Sequence, residues 1–595
     1  ETSPHRVLLN CYGSTDCSVM LMKSFLFFLV CCCNLMIEAY IDNNLSVLIA
    51  SGDIHGRYVE VNGRKLRAWT GIPYAKPPIG ELRFQKPQPP EYWYIRRWMD
   101  KQPNVCYQTD DSGYSVLQDT FDRWNPKGEM SEDCLYLNVY APEINKPDLH
   151  TIVWIHGGGF YKGAVSLDLY NPKYLVANGD VIVVSIQYRL GSFGLLYMGE
   201  EKIPGNMGLL DQAMAIKWVH DNIERFGGNR GKITLMGESA GSASVGYHMI
   251  SNKTRHLFQK VILMSGSPFN FWAYTSPEES RNRSLLFAAY AGCKYDDFEK
   301  RRKCLLGKTP QELLAADKSV LSMTPTVDGD FIDKSPFEAI MNKDYVNKPT
   351  LAGLVQNEGM PGIIYFLKSV RKVDYNKFKS DDFVVFKKMM AYYLGIDISK
   401  MESLGSFYLQ KYKNNYGDAA DLIFGDFFIS CAAIDFIGNI TQSEANPTYF
   451  YYFNHRSEKD LDPLYTEVMH GAELQYLFGR PFAVQKEYNN DDRKMSLTLM
   501  NMWTTFVKTG APGTQWDKYT AQSPIVKVIR MEKETTVVRQ RNEFCQEWHK
   551  YASYYETISV RHLCKFLKKA VWDATNWFTY LIAWGITKWK NCYEW

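Results

Sequence analysis

Lys232-Ile233-Thr234-Leu235-Met236-Gly237-Glu238-Ser239-Ala240-Gly241 is the stretch whose reading decides the architecture. Its first half is apolar and β-branched, as a buried strand is. Its second half spells G-x-S-x-G, the nucleophile elbow of a strand-to-helix turn. Glycines flank Ser239 because so sharp a turn brings backbone too close for side chains. The turn lifts the Ser239 hydroxyl into a cleft and aims the Ala240 amide at a substrate's oxyanion. Ser242-Ala243-Ser244-Val245-Gly246-Tyr247-His248-Met249 then reads as a helix start of small residues. An ordinary glycine-rich turn is the alternative; the strand before and the helix after weigh against it.

Upstream, Thr151-Ile152-Val153-Trp154-Ile155 reads as a strand that runs into His156-Gly157-Gly158-Gly159-Phe160. This is the HGGG type of loop that presents oxyanion amides in α/β-hydrolases. Acyl transfer builds negative charge on a carbonyl oxygen, and losing one fixed donor costs about 2.7–4 kcal/mol in a known case. A dinucleotide loop would need G-x-G-x-x-G opening a helix and a later acid, and neither is present. Ser239 further needs a base and an orienting acid, in the chain order Ser, acid, His. Glu358 follows the apolar run 351–355, and His470 stands in Val468-Met469-His470-Gly471-Ala472-Glu473. By order alone His455 competes with His470.

The chain has 595 residues, is 46% hydrophobic and carries a net charge of +3. That suffices for a large core and gives no reason to invoke nucleic acid or a charged membrane. No Pro/Gly/Ser-rich linker or repeat divides the middle. The expected organisation is a leader over 1–39, one catalytic domain over 40–555 and a tail over 556–595. In the leader, Lys23 precedes the apolar run 25–33, with Ala39 as a cleavage point, the pattern of a secretory signal peptide. The polar preface 1–21 points to Met20 or Met22 as the true start. Export agrees with the thirteen cysteines, and Asn44, Asn252, Asn282 and Asn439 each open a glycosylation sequon.

Taken together, these motifs resemble the cholinesterase/carboxylesterase-B family of α/β-hydrolases, from about Tyr58 to Tyr551. The resemblance includes Gly71-Ile72-Pro73-Tyr74-Ala75, Ser131-Glu132-Asp133-Cys134-Leu135-Tyr136-Leu137-Asn138, Gly205-Asn206-Met207-Gly208-Leu209-Leu210-Asp211-Gln212 and Ser265-Gly266-Ser267-Pro268. It implies an α/β fold with a large, mostly parallel central sheet flanked by helices. It implies a triad of Ser239, Glu358 and His470, oxyanion donors Gly158, Gly159 and Ala240, and no metal or cofactor. It also implies disulfides Cys106–Cys134, Cys293–Cys304 and Cys431–Cys545, leaving Cys564 and Cys592 outside that framework.

For the substrate, the resemblance to the acetylcholine-hydrolysing branch rests on the 106–134 loop, where Trp124 stands at the position of a choline-binding indole. A quaternary ammonium donates no hydrogen bond, so an aromatic face attracts it, by about 0.5–2 kcal/mol. Glu238, Phe160, Tyr161, Tyr170, Trp272 and Tyr365 match other substrate-binding positions, and Asp111 matches a carboxylate at the mouth of the site. Packing is the plain alternative for Trp124, and a broad carboxylesterase is the alternative function. A catalytically silent adhesion protein would lack triad residues, and all three are present. Met360-Pro361-Gly362 replaces the stretch where many members of the family hold a mobile choline-binding aromatic, with Tyr365 and Phe366 the nearest substitutes; on the acyl side, the segment 314–325 is short and free of aromatics. A widened acyl pocket is expected. Thr109 replaces a rim tyrosine, so the peripheral site should be weak.

The tail carries Trp572, Trp577, Trp584, Trp589 and Trp595 among basic residues. Trp577, Leu581 and Trp584 share one helical face. It resembles the tryptophan-rich oligomerisation tail of synaptic members of the family. That implies a homo-oligomer, an interchain bond at Cys592, a proline-rich anchoring partner and a secreted enzyme tethered at synapses or the cell surface. A membrane-surface helix is the alternative.

Overall fold

A computed structural model of the protein describes residues 44–109, 123–143, 147–318, 323–366, 378–394, 396–413, 415–441, 446–459, 467–531, 535–538 and 542–551. The leader, the tail with Cys592, and Asp111 lie outside the described residues. Among these residues an 11-stranded sheet dominates. Its strands, in chain order, are β1 Arg57–Val61, β2 Arg64–Pro73, β3 Tyr136–Pro142, β4 Leu149–Ile155, β5 Ile182–Ile186, β6 Gly228–Glu238, β7 Lys260–Met264, β8 Thr350–Val355, β9 Thr448–Phe453, β10 Ile525–Ile529 and β11 Thr535–Val538. Across the sheet they run β1-β2-β3-β5-β4-β6-β7-β8-β9-β10-β11. From β5 to β10 every neighbouring pair is parallel; the pairings at both flanks are antiparallel.

The central strands are apolar on both faces, as a sheet covered by helices on both sides requires. β4 shows why. Ile152 and Trp154 join one core, with Met500, Trp503 and Phe506. Val153 and Ile155 point the other way, into a core with Ala243 and Val245. Burying such side chains stabilises by roughly 1.5–3 kcal/mol each. The helices that bear on the site are α1 Met207–Asn222, α2 Ala240–Ile250, α3 Met360–Phe366, α4 Tyr416–Gly425 and α5 Asn490–Thr509. Disulfides join Cys106 to Cys134, Cys293 to Cys304 and Cys431 to Cys545, the three pairs the family resemblance implies. No described helix is long and apolar enough to cross a membrane.

Strand order reverses at β4, which has β5 on one side and β6 on the other. Ligand sites of open α/β sheets form outside the carboxyl ends of strands at such a switch point. The register makes this concrete: Gly237 on β6 pairs with Ile155 on β4. The elbow and the HGGG loop therefore emerge side by side.

Candidate active site

Ser239 stands between β6 and α2 with φ +57° and ψ −121°. Such a conformation costs about 1–3 kcal/mol in a non-glycine residue and persists where the surroundings enforce it. Here the Ser239 amide donates to the Met264 carbonyl at the end of β7 (2.8 Å), and the Ser239 carbonyl accepts from the Ala243 amide (3.0 Å). A methyl group on Gly241 would lie 2.0 Å from the Ile155 carbonyl oxygen, and one on Gly237 would lie 2.3 Å from Gly241. The flanking glycines are thus demanded by the close approach of β6, α2 and the end of β4. The first amides of α2 lack intrahelical acceptors and point, with the helix dipole, toward the serine.

The histidine and the acid come from neighbouring loops. β8 leads to Glu358, and Asn357 forms a bridge with Met469, one residue before His470. His470 Nδ1 meets Glu358 Oε2 at 2.6 Å. The other Glu358 oxygen accepts from Ser265 Oγ (2.7 Å) and the Val355 amide (2.9 Å). The acid is thereby fixed from two sides while it orients the imidazole. His455 is elsewhere engaged: its Nε2 pairs with Asp492 at 3.1 Å, near the start of α5.

His470 Nε2 lies 3.1 Å from Glu238 Oε1, although not in hydrogen-bond geometry. Ser239 Oγ makes no hydrogen bond to His470 among the described residues. Burial alone would depress the imidazole, but the Glu238 and Glu358 carboxylates outweigh it, and His470 is pushed up to about 9. Burial likewise pushes Glu238 up to about 7, with His470 drawing it back and Glu358 adding to the rise. A third acid, Glu473, is fully buried and is pushed up to about 8 by burial and then by Glu238 and Glu358. It accepts from the Tyr451 hydroxyl at 3.3 Å. The sequence reading assigned no role to Glu473 or Ser265. Glu473's only signal was an acid three residues after His470, at the head of an apolar run.

The HGGG loop turns against the elbow. A methyl group on Gly157 would lie 2.6 Å from Glu238 Oε2 and 3.0 Å from the Ser239 Cβ. Gly158 and Gly159 take φ of +102° and +59°, and the Gly158 carbonyl accepts from the Tyr161 and Lys162 amides (3.1 and 3.0 Å). His156 is buried and depressed to about 4 by burial, so it is neutral and structural.

The expected substrate-binding residues fall into two groups of contacts. Trp124 abuts the turn after His470: a methyl group on Gly471 would lie 2.7 Å from the indole Cη2 and 3.4 Å from Glu238 Oε1. Its ring meets Tyr170 edge-on at 6.2 Å, and Tyr170 is raised above the usual phenol range by burial and the Glu238 charge. An indole and a carboxylate thus share one corner beside His470. Trp272 lies 6.4 Å from Phe160 and donates Nε1–H to the Phe428 carbonyl at 2.6 Å. Tyr161 lies against Gly159, and the Lys162 ammonium stands 6.0 Å from its ring centre. Tyr365 belongs to α3, its side chain outside the description. Among the sequons, Asn44 and Asn252 are exposed, Asn282 is half-buried on a helix, and Asn439 donates its side-chain amide to Asp435 (2.8 Å).

A strained serine at an elbow, glycine amides beside it and an acid-oriented imidazole are the parts of acyl transfer without a metal. The carboxylesterase family model matches residues 43–548. The chain belongs to the carboxylesterase family. It has that family's α/β-hydrolase fold and is a serine carboxylic ester hydrolase. It is 35% identical over 525 residues to an acetylcholinesterase of Bungarus fasciatus, covering 85% of this chain and 86% of that protein. It is 35% identical over 543 residues to a cholinesterase of Mus musculus, covering 88% and 89%. Within the family it is cholinesterase-like.

Proposed function

We propose that the enzyme hydrolyses choline esters, acetylcholine foremost, through an acyl-enzyme on Ser239. His470, in its neutral form, takes the Ser239 proton through Nε2 as Oγ attacks the ester carbonyl. Glu358 holds Nδ1–H and stabilises the imidazolium that forms. The amides of Gly158, Gly159 and Ala240 bind the oxyanion. The imidazolium then protonates the departing choline oxygen, and water activated by the same histidine releases the acid.

The observation that carries the choline assignment is the Trp124–Glu238 corner. A trimethylammonium placed there meets an aromatic face and a buried carboxylate together, one turn of chain from the base. Tyr170 backs the indole; Tyr161, Tyr365 and Asp111 are assigned to the approach by the family resemblance. On the Trp272 side, the aromatic-free segment 314–325 favours acyl groups larger than acetyl. The sequence-level leader supports secretion with glycosylation at its sequons. The tail supports homo-oligomers bridged at Cys592 and docked on a proline-rich partner.

The test compares acetylcholine with its uncharged carbon isostere on wild-type enzyme and on Trp124→Ala. The variant should lose on the order of 1–3 kcal/mol of transition-state binding for acetylcholine and far less for the isostere. Equal losses would instead favour a broad-specificity carboxylesterase. One observation favours that second reading: the Lys162 ammonium beside Tyr161 is a resident cation where a cationic substrate would pass.

A further inference from the structure

The oxyanion loop is braced by the segment that follows β5. Tyr188 Oη donates to the His156 carbonyl (2.7 Å), and its ring stacks on the His156 imidazole with centres 4.5 Å apart. Further along, the Gly191 amide donates to the Phe160 carbonyl (2.8 Å). Tyr188 and Gly191 thus grip the two ends of His156-Gly157-Gly158-Gly159-Phe160. Phe160 needs the grip. Its φ is +64°, a left-handed conformation that is strained for a bulky side chain and persists where the surroundings enforce it.

The brace is anchored in its turn. Between the two grips, Asp211 of α1 accepts from the Arg189 amide (3.1 Å), Nε (2.8 Å) and Nη2 (2.7 Å). This buried ion pair fixes the middle of the brace to the core. The other anchor is Asp317, the last residue of the helix Pro310–Asp317 and part of the aromatic-free segment 314–325. Asp317 Oδ2 accepts from the Ser192 amide (3.1 Å) and from Ser192 Oγ (2.9 Å), and Ser192 is fully buried. Gly191 takes φ +52°, and a methyl group there would lie 2.8 Å from the same carboxylate oxygen. The carboxylate therefore packs directly against the residue that holds Phe160.

We propose that Asp317 is a positioning residue for the oxyanion loop. It holds Ser192 and Gly191, Gly191 holds the Phe160 carbonyl, and Phe160 directly follows the glycines whose amides receive the oxyanion. This rests on the reading that Gly158 and Gly159 are oxyanion donors. An acid suits the task because one carboxylate oxygen satisfies both Ser192 donors, which an apolar side chain would leave buried and unpaired. Fixed amides stabilise a transition state only where its charge develops, and a misplacement of about 1 Å can cost on the order of 10²-fold. The ground-state ester gains little from those amides, so a loosened loop lowers kcat rather than raising KM.

The experiment compares two inhibitors of the full-length enzyme, an aryl trifluoromethyl ketone and the matching methyl ketone. Ser239 Oγ adds to the carbonyl carbon of the first, His470 takes the hydroxyl proton, and the carbonyl oxygen becomes an oxyanion; the second stays trigonal. Wild type should bind the trifluoromethyl ketone at least about 10²-fold more tightly, and equal binding overturns the oxyanion reading itself. In Asp317→Ala that ratio should shrink by about tenfold or more, and kcat for an uncharged acetate ester should fall similarly with KM within about twofold. Asp317→Asn keeps an oxygen acceptor and should restore most of both. If Asp317→Ala does not fold, Ser192→Ala decides: it deletes one of the two donors and should lower the ratio by about threefold, the scale of one hydrogen bond. A wild-type ratio in the folded variants, whatever their thermal midpoint, or an asparagine variant no better than alanine, overturns the positioning role and leaves the oxyanion reading standing.

Discussion

Glu238→Gln removes the carboxylate nearest the outer edge of the imidazole while preserving its shape. Glu238 Oε1 stands 3.1 Å from His470 Nε2, and the Glu238 side chain is 2% exposed. Solvent therefore screens the pair poorly. Two unit charges about 4 Å apart interact by about 4 kcal/mol at an effective dielectric near 20. Glu238 is itself raised to about 7, so near neutral pH it bears its charge only part of the time. The coupling felt by His470 is then on the order of 1.5–3 kcal/mol, which corresponds to about one to two pH units. The sign follows from the chemistry. Only neutral His470 is a base, and the imidazolium, held up to about 9, is the form Glu238 favours. Without that carboxylate the imidazolium gives up its proton more readily, so the acid limb of the kcat/KM profile moves to lower pH. The assay is a pH profile with an uncharged acetate ester and, in parallel, with acetylcholine. The neutral ester should show the displaced limb, and acetylcholine should show in addition a raised KM, because its cation has lost a partner. An acid limb within about 0.3 pH of wild type for the neutral ester would refute the electrostatic reasoning.

Ser239→Ala and His470→Ala should each lower ester turnover by several orders of magnitude with an unchanged thermal midpoint; more than about a tenth of wild-type turnover in either would reject the assignment. Breaking Cys431–Cys545, whose cysteines are 114 residues apart, should cost about 2–5 kcal/mol in denaturant unfolding. Unfolding at wild-type denaturant would show that this cross-link adds nothing. A chain ending at Tyr555 should keep full activity per active site and sediment as a monomer, while the full chain forms oligomers that reductant weakens. Identical monomers in all conditions would favour the membrane-surface reading of the tail.

The parts of the site that were legible in the sequence are those imposed by backbone geometry. Gly237 and Gly241 had to be glycine because β6, α2 and the end of β4 come within contact distance, and that requirement is written locally as G-x-S-x-G. The same holds for His156-Gly157-Gly158-Gly159 after an apolar run. Chain order then brought Glu358 and His470 into view, and the 2.6 Å contact between them follows from where β8 and the Met469 bridge end. What could not be read is what depends on register between distant strands. Glu238 was visible as the serine's neighbour, but its approach to His470 Nε2 needs β6 and the loop after β9 to be placed relative to one another. Ser265 hydrogen-bonds Glu358 and Glu473 meets Tyr451, partners about 90 and 20 residues away, a spacing no helical or strand period announces.

The acyl space shows most plainly why such features escape a linear reading. Missing aromatics in 314–325 imply a wide acyl pocket only if no other segment enters the vacated volume. A glycine at 362 reads in sequence as a side chain lost. In the fold it is the condition for Phe424 to lie against α3, since any Cβ there would collide with the ring. Pocket volume belongs to every segment that borders it, and close packing makes those segments interdependent. A deletion in one loop therefore speaks for specificity only together with every other segment that borders the same volume.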